Sequence, residues 1–246
     1  MVAGVRIYLI HDLALTISFD LAIGEKAHYA VMSLQHELQK ELPKSAVREL
    51  VDIVPAYTSL SLYFSTKTAL EAGIDTVKKI AYQVARTDFL QTNTATKKAD
   101  AKAVTKTVTT TFEIPVCYEL PYASDMPTVM KQTGLSHQEI IEYHHHKKYT
   151  VYMNGFVPGF SYMGTLDPLL QVPRKQVPAP KVPPGSVAIA ADQTGIYPFE
   201  VPGGWHVIGR TPLKMFDKRR TPACLLAPGD TVIFKPITAN EFEHWI

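Results

Sequence analysis

The rhythm of apolar and polar positions changes twice along this chain. Residues 5–10 and 13–19 read as two short strands meeting at a tight turn around His11-Asp12. From 24 to 42, Ala27, Val31, Leu34 and Leu38 recur every three or four positions, the period of one buried helix face, and Pro43 ends the run. A strand is expected at 47–54. In 58–64, Leu60, Leu62 and Phe64 alternate with Ser59, Ser61 and Tyr63, the period of two of a half-buried strand. Asp75 reads as the cap of a second helix carrying Val77, Ile80, Ala81 and Val84 on one face. These elements make an N-terminal α+β domain over residues 1–91.

Residues 92–107 are almost wholly Thr, Lys and Ala with no sustained period, so the inter-domain linker is expected there. The second domain, 108–246, opens with a strand at 109–118 interrupted by Pro115. Two short helices follow, the second starting at a Ser136-x-x-Glu139 capping box, and a strand at 148–153. From Gly155 the texture changes. Of 18 prolines, 13 lie between Gly155 and Pro236, with 9 of the 13 glycines. Proline disfavours helix interiors and glycine supplies positive φ, so this stretch is expected to be free of helix. The β-branched runs at 186–190, 205–208 and 231–234 sit between these breakers, the pattern of a closed or nearly closed antiparallel barrel. The fold class is thus α+β, a small α/β sandwich followed by a β-barrel.

Charge removes several functions. With 25 basic and 23 acidic side chains the net charge is +2, which gives no electrostatic case for nucleic acid or an anionic membrane. The basic cluster at 214–220 reads as a solvated loop. The apolar start is broken by Arg6, His11, Asp12 and Asp20, so a secretion signal is not expected. No run reaches the ~18 apolar residues of a membrane span. Cys117 and Cys224 lack metal-ligand spacing and read as reduced thiols, which points to the cytoplasm.

The familiar nucleotide motifs, G-x-x-x-x-G-K-[ST] and G-x-G-x-x-G, are absent from the sequence. Gly159-Phe160-Ser161-Tyr162-Met163-Gly164 looks like a nucleophile elbow, but its second glycine is one residue late and no helix is expected after it. Three consecutive histidines, His144 to His146, project about 100° apart on a helix and are not expected to face one metal ion. Three other segments concentrate chemistry. They supply Phe156, Phe160 and Tyr162; then Gln193, Thr194 and Tyr197; then Gly203, Gly204, Trp205, His206 and Arg210. Rings, an amide, a hydroxyl, an imidazole and a guanidinium among glycines suit a concave site for a small polar group or a partner's loop.

The string GFVPGFSYMGTLDPLL, VPR, VPPGSVAIA, QTGIYP, PGGWHVIGRTP and LLAPGDTVIFKPI resembles the family of the 5-oxoprolinase B-type subunit. That family is also called allophanate hydrolase subunit 1, and it includes an inhibitor of a sporulation histidine kinase. The resemblance extends upstream through IPVCY and VPAYTSLSLYF. It implies a cyclophilin-like barrel in the second domain. It also implies a paralogous barrel as partner (the C-type subunit of 5-oxoprolinase, or allophanate hydrolase subunit 2), joined in the oxoprolinase case by an A-type subunit. The implied activity is ATP-dependent opening of 5-oxo-L-proline to L-glutamate, with ATP a co-substrate of the assembled complex and the isolated chain inactive. Within a composite site, Arg210 would hold a carboxylate or phosphate, His206 would transfer a proton, and backbone N–H groups near Gly203 would face a developing oxyanion. Phe156, Phe160, Tyr162, Gln193, Thr194, Tyr197, Gly203, Gly204 and Trp205 would line the substrate. The resemblance equally admits an inhibitor of a sensor histidine kinase, or a urea-, allophanate- or carboxyltransferase-type subunit. Two places depart from the family pattern. Glu119 to Asp125 replaces a Gly-Gly-rich acidic segment, and Pro180-Lys181 stands where a second Pro-Arg is usual, keeping the charge without the planar fork.

Overall fold

The computed structural model describes residues 4–42, 44–90 and 110–245, so the linker expected at 92–107 lies outside the described residues. The chain divides into two compact units, Met1–Val108 and Thr109–Ile246.

In the first unit, β1 (Val5–His11), β2 (Ala14–Phe19), β3 (Leu50–Pro55) and β4 (Ser59–Phe64) form one antiparallel sheet in the order β1-β2-β4-β3. Helices α1 (Glu25–Glu41) and α3 (Lys67–Leu90) pack together and bury its inner positions, Leu15, Ile17, Leu60, Leu62 and Phe64. From α1 come Val31, Leu34 and Leu38; from α3 come Val77, Ile80 and Ala81. The two periods read from the sequence therefore meet in one core.

Two boundaries differ from expectation. Residues 44–48 form a short helix, α2 (Lys44–Arg48), and β3 starts only at Leu50. The reason is Ala46, which is buried in the core, while Val47 beside it is exposed. Helix α3 starts at Lys67 rather than at Asp75, which lies inside it, and Thr66 Oγ1 accepts the Ala69 N–H at 3.3 Å. Gly73 lies in its interior at some cost in helix propensity, although a Cβ there would make only ordinary contacts, with Ala46 and Leu42 at 3.5 Å.

The second unit is built on a closed barrel of seven strands. These are β5 (Thr111–Cys117), β6 (Lys148–Asn154), β7 (Ser161–Gly164), β9 (Ser186–Ala190), β10 (Gln193–Ile196), β12 (His206–Arg210) and β13 (Thr231–Ile237). They run in the order β10-β7-β6-β13-β5-β12-β9, and β9 pairs with β10 to close the ring. The pairs are antiparallel except β13 with β5, which is parallel from Thr231↔Thr111 to Ile237↔Cys117. These strands lie at opposite ends of the unit, so no hairpin dictates their direction. A separate ribbon joins β8 (Ala179–Val182) to β11 (Val201–Gly203). Helices α4 (Met126–Thr133) and α5 (His137–His145) follow β5, and the capping box at Ser136–Glu139 is formed. Between Gly155 and Pro236 the described helical structure is a single 3-10 turn, Pro168–Leu170; α6 (Ala239–Glu243) lies beyond it.

Strands β9 and β12 are buried on both faces. Val187, Ile189 and Ile208 enter the barrel core with Ile114, Val151 and Phe234. Ala188, Ala190 and Val207 face a second cluster with Phe160, Val182, Tyr197 and Trp205. That two-sided burial is why the run Ser-Val-Ala-Ile-Ala shows no polar alternation.

Candidate functional site

The second cluster is a wall of rings. Phe160 meets Tyr162, Tyr197 and Trp205 edge to face, with centroids 4.8, 5.1 and 5.6 Å apart, and Tyr162 meets Trp205 at 5.7 Å. This is the preferred geometry of aromatic quadrupoles, so each ring fixes its neighbour. Gly203 is required at the base, because a Cβ there would fall 2.8 Å from Tyr197 Cζ. Burial raises the Tyr197 and Tyr162 hydroxyl pKa values, so both remain neutral donors at physiological pH.

At the rim stands Phe156, exposed and held at φ 65 by the Gly-Phe-Val-Pro-Gly turn. It packs edge-on against Phe160 at 5.7 Å and Tyr197 at 6.5 Å. A bulky side chain in left-handed backbone costs of order 1–3 kcal/mol, a strain more often kept at functional sites than in plain scaffold.

A strap of three residues crosses the wall. His206 Nε2 donates to Pro173 O at 3.1 Å, Lys175 N donates to Gly204 O at 2.8 Å, and Lys175 Nζ pairs with Asp125 at 2.5 Å. Asp125 is itself fixed on β12, where its Oδ2 accepts the Val207 N–H at 2.7 Å and its own N–H bonds Val207 O. These ties hold Arg174 with its guanidinium carbon 5.9 Å from the Trp205 centroid, in cation–π range. Arg174 is exposed. A carbonyl only accepts, so His206 carries its proton on Nε2; Nδ1 is a bare, buried lone pair with no hydrogen-bond partner among the described residues. Burial lowers the His206 pKa, opposed by the Pro173 bond. His206 is 3% exposed, which suits fixing the strap better than exchanging protons with a ligand.

The structure thus brings together Phe156, Phe160, Tyr162, Tyr197, Gly203, Gly204, Trp205 and His206. Thr194 lies elsewhere, in the barrel interior, where its hydroxyl bonds His144 Nε2 at 3.0 Å and Ala188 O at 3.2 Å. Gln193 is buried at the start of β10, opposite Ala190 and Gly164. Ser161 is buried too, its hydroxyl donating to Asn154 Oδ1 at 2.7 Å.

Arg210 stands at the other end of β12 from His206, roughly 13 Å away by strand rise. Its Nε donates to Pro184 O at 2.8 Å, and its guanidinium carbon lies 5.9 Å from the Phe242 centroid. It opens into a groove of ≈ 700 Å³ that also takes in Lys214, Lys218, Phe199 and Phe216. The basic segment 214–220 is an irregular loop with Lys214, Lys218 and Arg219 exposed, as expected, and it also borders this groove. Arg220 bonds the carbonyls of Lys214, Met215, Pro222 and Ala223 at 2.9–3.2 Å, folding the segment so that its lysines line the groove. Asp217 pairs with Arg219, whose hydrogen bonds hold its carboxyl pKa down to about 2.

Sequence reasoning missed Asp125, Arg174 and Lys175. Pro173-Arg174 is visible as a motif, but only the fold shows what it crosses.

Residues 5–226 match the family described as Carboxyltransferase domain, subdomain C and D. The 5-oxoprolinase B-type subunit of Bacillus subtilis (strain 168) is 33% identical over 248 residues, covering 100% of this chain and 98% of that protein. The 5-oxoprolinase B-type subunit of Escherichia coli O157:H7 is 45% identical over 124 residues, covering 50% of this chain and 57% of that protein. Among solved structures, TTHA0988 superposes with a TM-score of 0.71 at 30% identity, over 92% of this chain but only 40% of that one. Among the described residues, no helix is long and apolar enough to cross a membrane.

Proposed function

This chain belongs to the carboxyltransferase-domain family of subdomains C and D, and from that premise we propose that it is the B-type subunit of a 5-oxoprolinase complex. The observation that carries the reading is the end-to-end similarity to the Bacillus subtilis B-type subunit. The reaction would be ATP-dependent opening of 5-oxo-L-proline to L-glutamate. A lactam is resonance-stabilised; transfer of the ATP γ-phosphoryl group to its carbonyl oxygen, with ADP leaving, would make the carbonyl carbon open to water. The ring C–N bond then breaks with a proton going to nitrogen, and a second water releases phosphate from the acyl phosphate.

The wall and strap suit one half of such a site. A small five-membered ring would rest on the partly exposed Tyr162, backed by the buried Trp205, and the exposed Arg174 guanidinium would offer a planar fork to the ring's carboxylate. His206 serves as a positioning residue for Arg174. Arg210, Lys214 and Lys218 offer the groove at the other end of β12 to a second anionic group, such as a phosphate. With no known nucleotide motif in the sequence, a partner barrel would complete the site around ATP, and Phe156 would be a contact to that partner. Its exposed, strained ring also favours a second reading, a docking module for a histidine kinase.

Co-purification with a second barrel protein of the complex, followed by an assay of 5-oxoproline-dependent ATP hydrolysis, tests the proposal. Capture of a histidine kinase alone, with no such activity, would replace it by the second reading.

A further inference from the structure

Helix α5 ends in His144 and His145, with His146 as its C-cap, and the three rings part company there. His144 turns into the barrel, where it is fully bonded. His145 and His146 turn the other way and converge on Glu142, one turn earlier. Glu142 Oε2 lies 2.7 Å from His146 Nδ1 and 3.3 Å from His145 Nε2, and the two nitrogens are 3.1 Å apart. The i, i+3 and i, i+4 spacings put all of these side chains over one helical turn.

Protons alone allow two arrangements here. If both imidazoles point an N–H at the carboxylate, two donors face each other at 3.1 Å. If one nitrogen is bare, it accepts from the other ring's N–H across 3.1 Å, and that N–H is shared with the carboxylate. A cation at the centre would engage all three atoms at once, each as an electron-pair donor. The separations of 2.7, 3.1 and 3.3 Å lie at or somewhat under the roughly 3.3 Å between ligands ~2.0–2.2 Å from a tetrahedral zinc, so small side-chain movements would admit the ion. Two imidazoles with one carboxylate is also a donor set for zinc, nickel or copper rather than for magnesium or calcium.

We propose that Glu142, His145 and His146 form a surface site for one borderline divalent metal ion, with a remaining position open to water or to a side chain of another protein. The side chains of Glu142 and His146 are 47% and 69% exposed, so both can be replaced without disturbing the core. The test uses the full chain, stripped with chelator and titrated with Zn²⁺ against a chromophoric competitor at pH 7.5. One ion should bind at micromolar affinity or better. His146→Ala and Glu142→Gln should each weaken it by at least the ~10–100-fold seen for outer-shell changes, with unchanged melting temperature. His244→Ala, on an exposed histidine elsewhere, should leave it unaltered. Absence of Zn²⁺ binding, or equal binding by His146→Ala, would overturn the site.

Discussion

Replacing His144 with Leu should destabilise the barrel at neutral pH and make it less sensitive to acid. In the folded protein Thr194 donates to Ala188 O, so its oxygen accepts from His144 Nε2–H, and Nδ1 accepts the Tyr118 hydroxyl at 2.7 Å. The neutral ring is thus saturated, stacked on Phe234 at 4.4 Å, and has no room for a second proton. Burial, with a smaller contribution from His145, lowers its pKa to about 3. The unfolded chain binds a proton near pH 6.5 and the folded one does not, so the contribution is complete above pH 6.5. It is lost as pH falls toward 3, at of order 1 kcal/mol per pH unit. His144→Leu leaves the buried Tyr118 hydroxyl unpaired, at about 1–3 kcal/mol, but removes the titration. The variant should therefore be less stable at pH 7.5, and the gap should close near pH 5. Urea unfolding followed by tryptophan fluorescence reports the second unit alone, since Trp205 and Trp245 both lie in it. A gap constant from pH 7.5 to 5 would refute the reasoning.

Two further outcomes are expected at the site and one at the linker. Arg210→Lys should lower kcat/KM of the assembled complex roughly tenfold or more, by losing the planar fork, with the melting temperature retained; unchanged kinetics would remove Arg210 from the site. Phe156→Ala should weaken co-purification with the partner barrel while the isolated chain stays folded; undiminished complex formation would take the ring out of the interface. Limited trypsin digestion should cut first between Lys97 and Lys106, placing the linker at 92–107 as its Thr-, Lys- and Ala-rich composition suggests; a first cut between Pro178 and Gly185 would move the boundary.

Much of the scaffold is legible in the sequence because local pattern and tertiary burial agree. The alternation at Leu60, Leu62 and Phe64 and the helical period from Ala27 to Leu38 survive unchanged, as does the Ser136 capping box. Reading fails where a tertiary contact outranks the local signal. Ala46 packs into the core within a short helix whose end takes the first two residues, 47 and 48, of the strand expected at 47–54. The parallel pairing of β13 with β5 has no local signature, since it joins segments 120 residues apart, Thr111 to Thr231. In the site, the aromatic residues and glycines announce themselves by type. Asp125, Arg174 and Lys175 do not, because their value lies in three hydrogen-bonded ties that only the folded strap creates. Thr194 is close to Tyr197 in sequence, yet successive strand residues point to opposite faces, and its hydroxyl goes to the barrel interior.

The central claim, that this chain is a required but insufficient subunit of a 5-oxoproline-opening enzyme, is tested most directly by following labelled 5-oxo-L-proline into L-glutamate with ATP, omitting one component at a time. Glutamate should form only when this chain and its partners are all present, and the chain alone should be silent. Turnover of ~1 per second or more by the chain alone, or full turnover by the partners without it, would contradict the account.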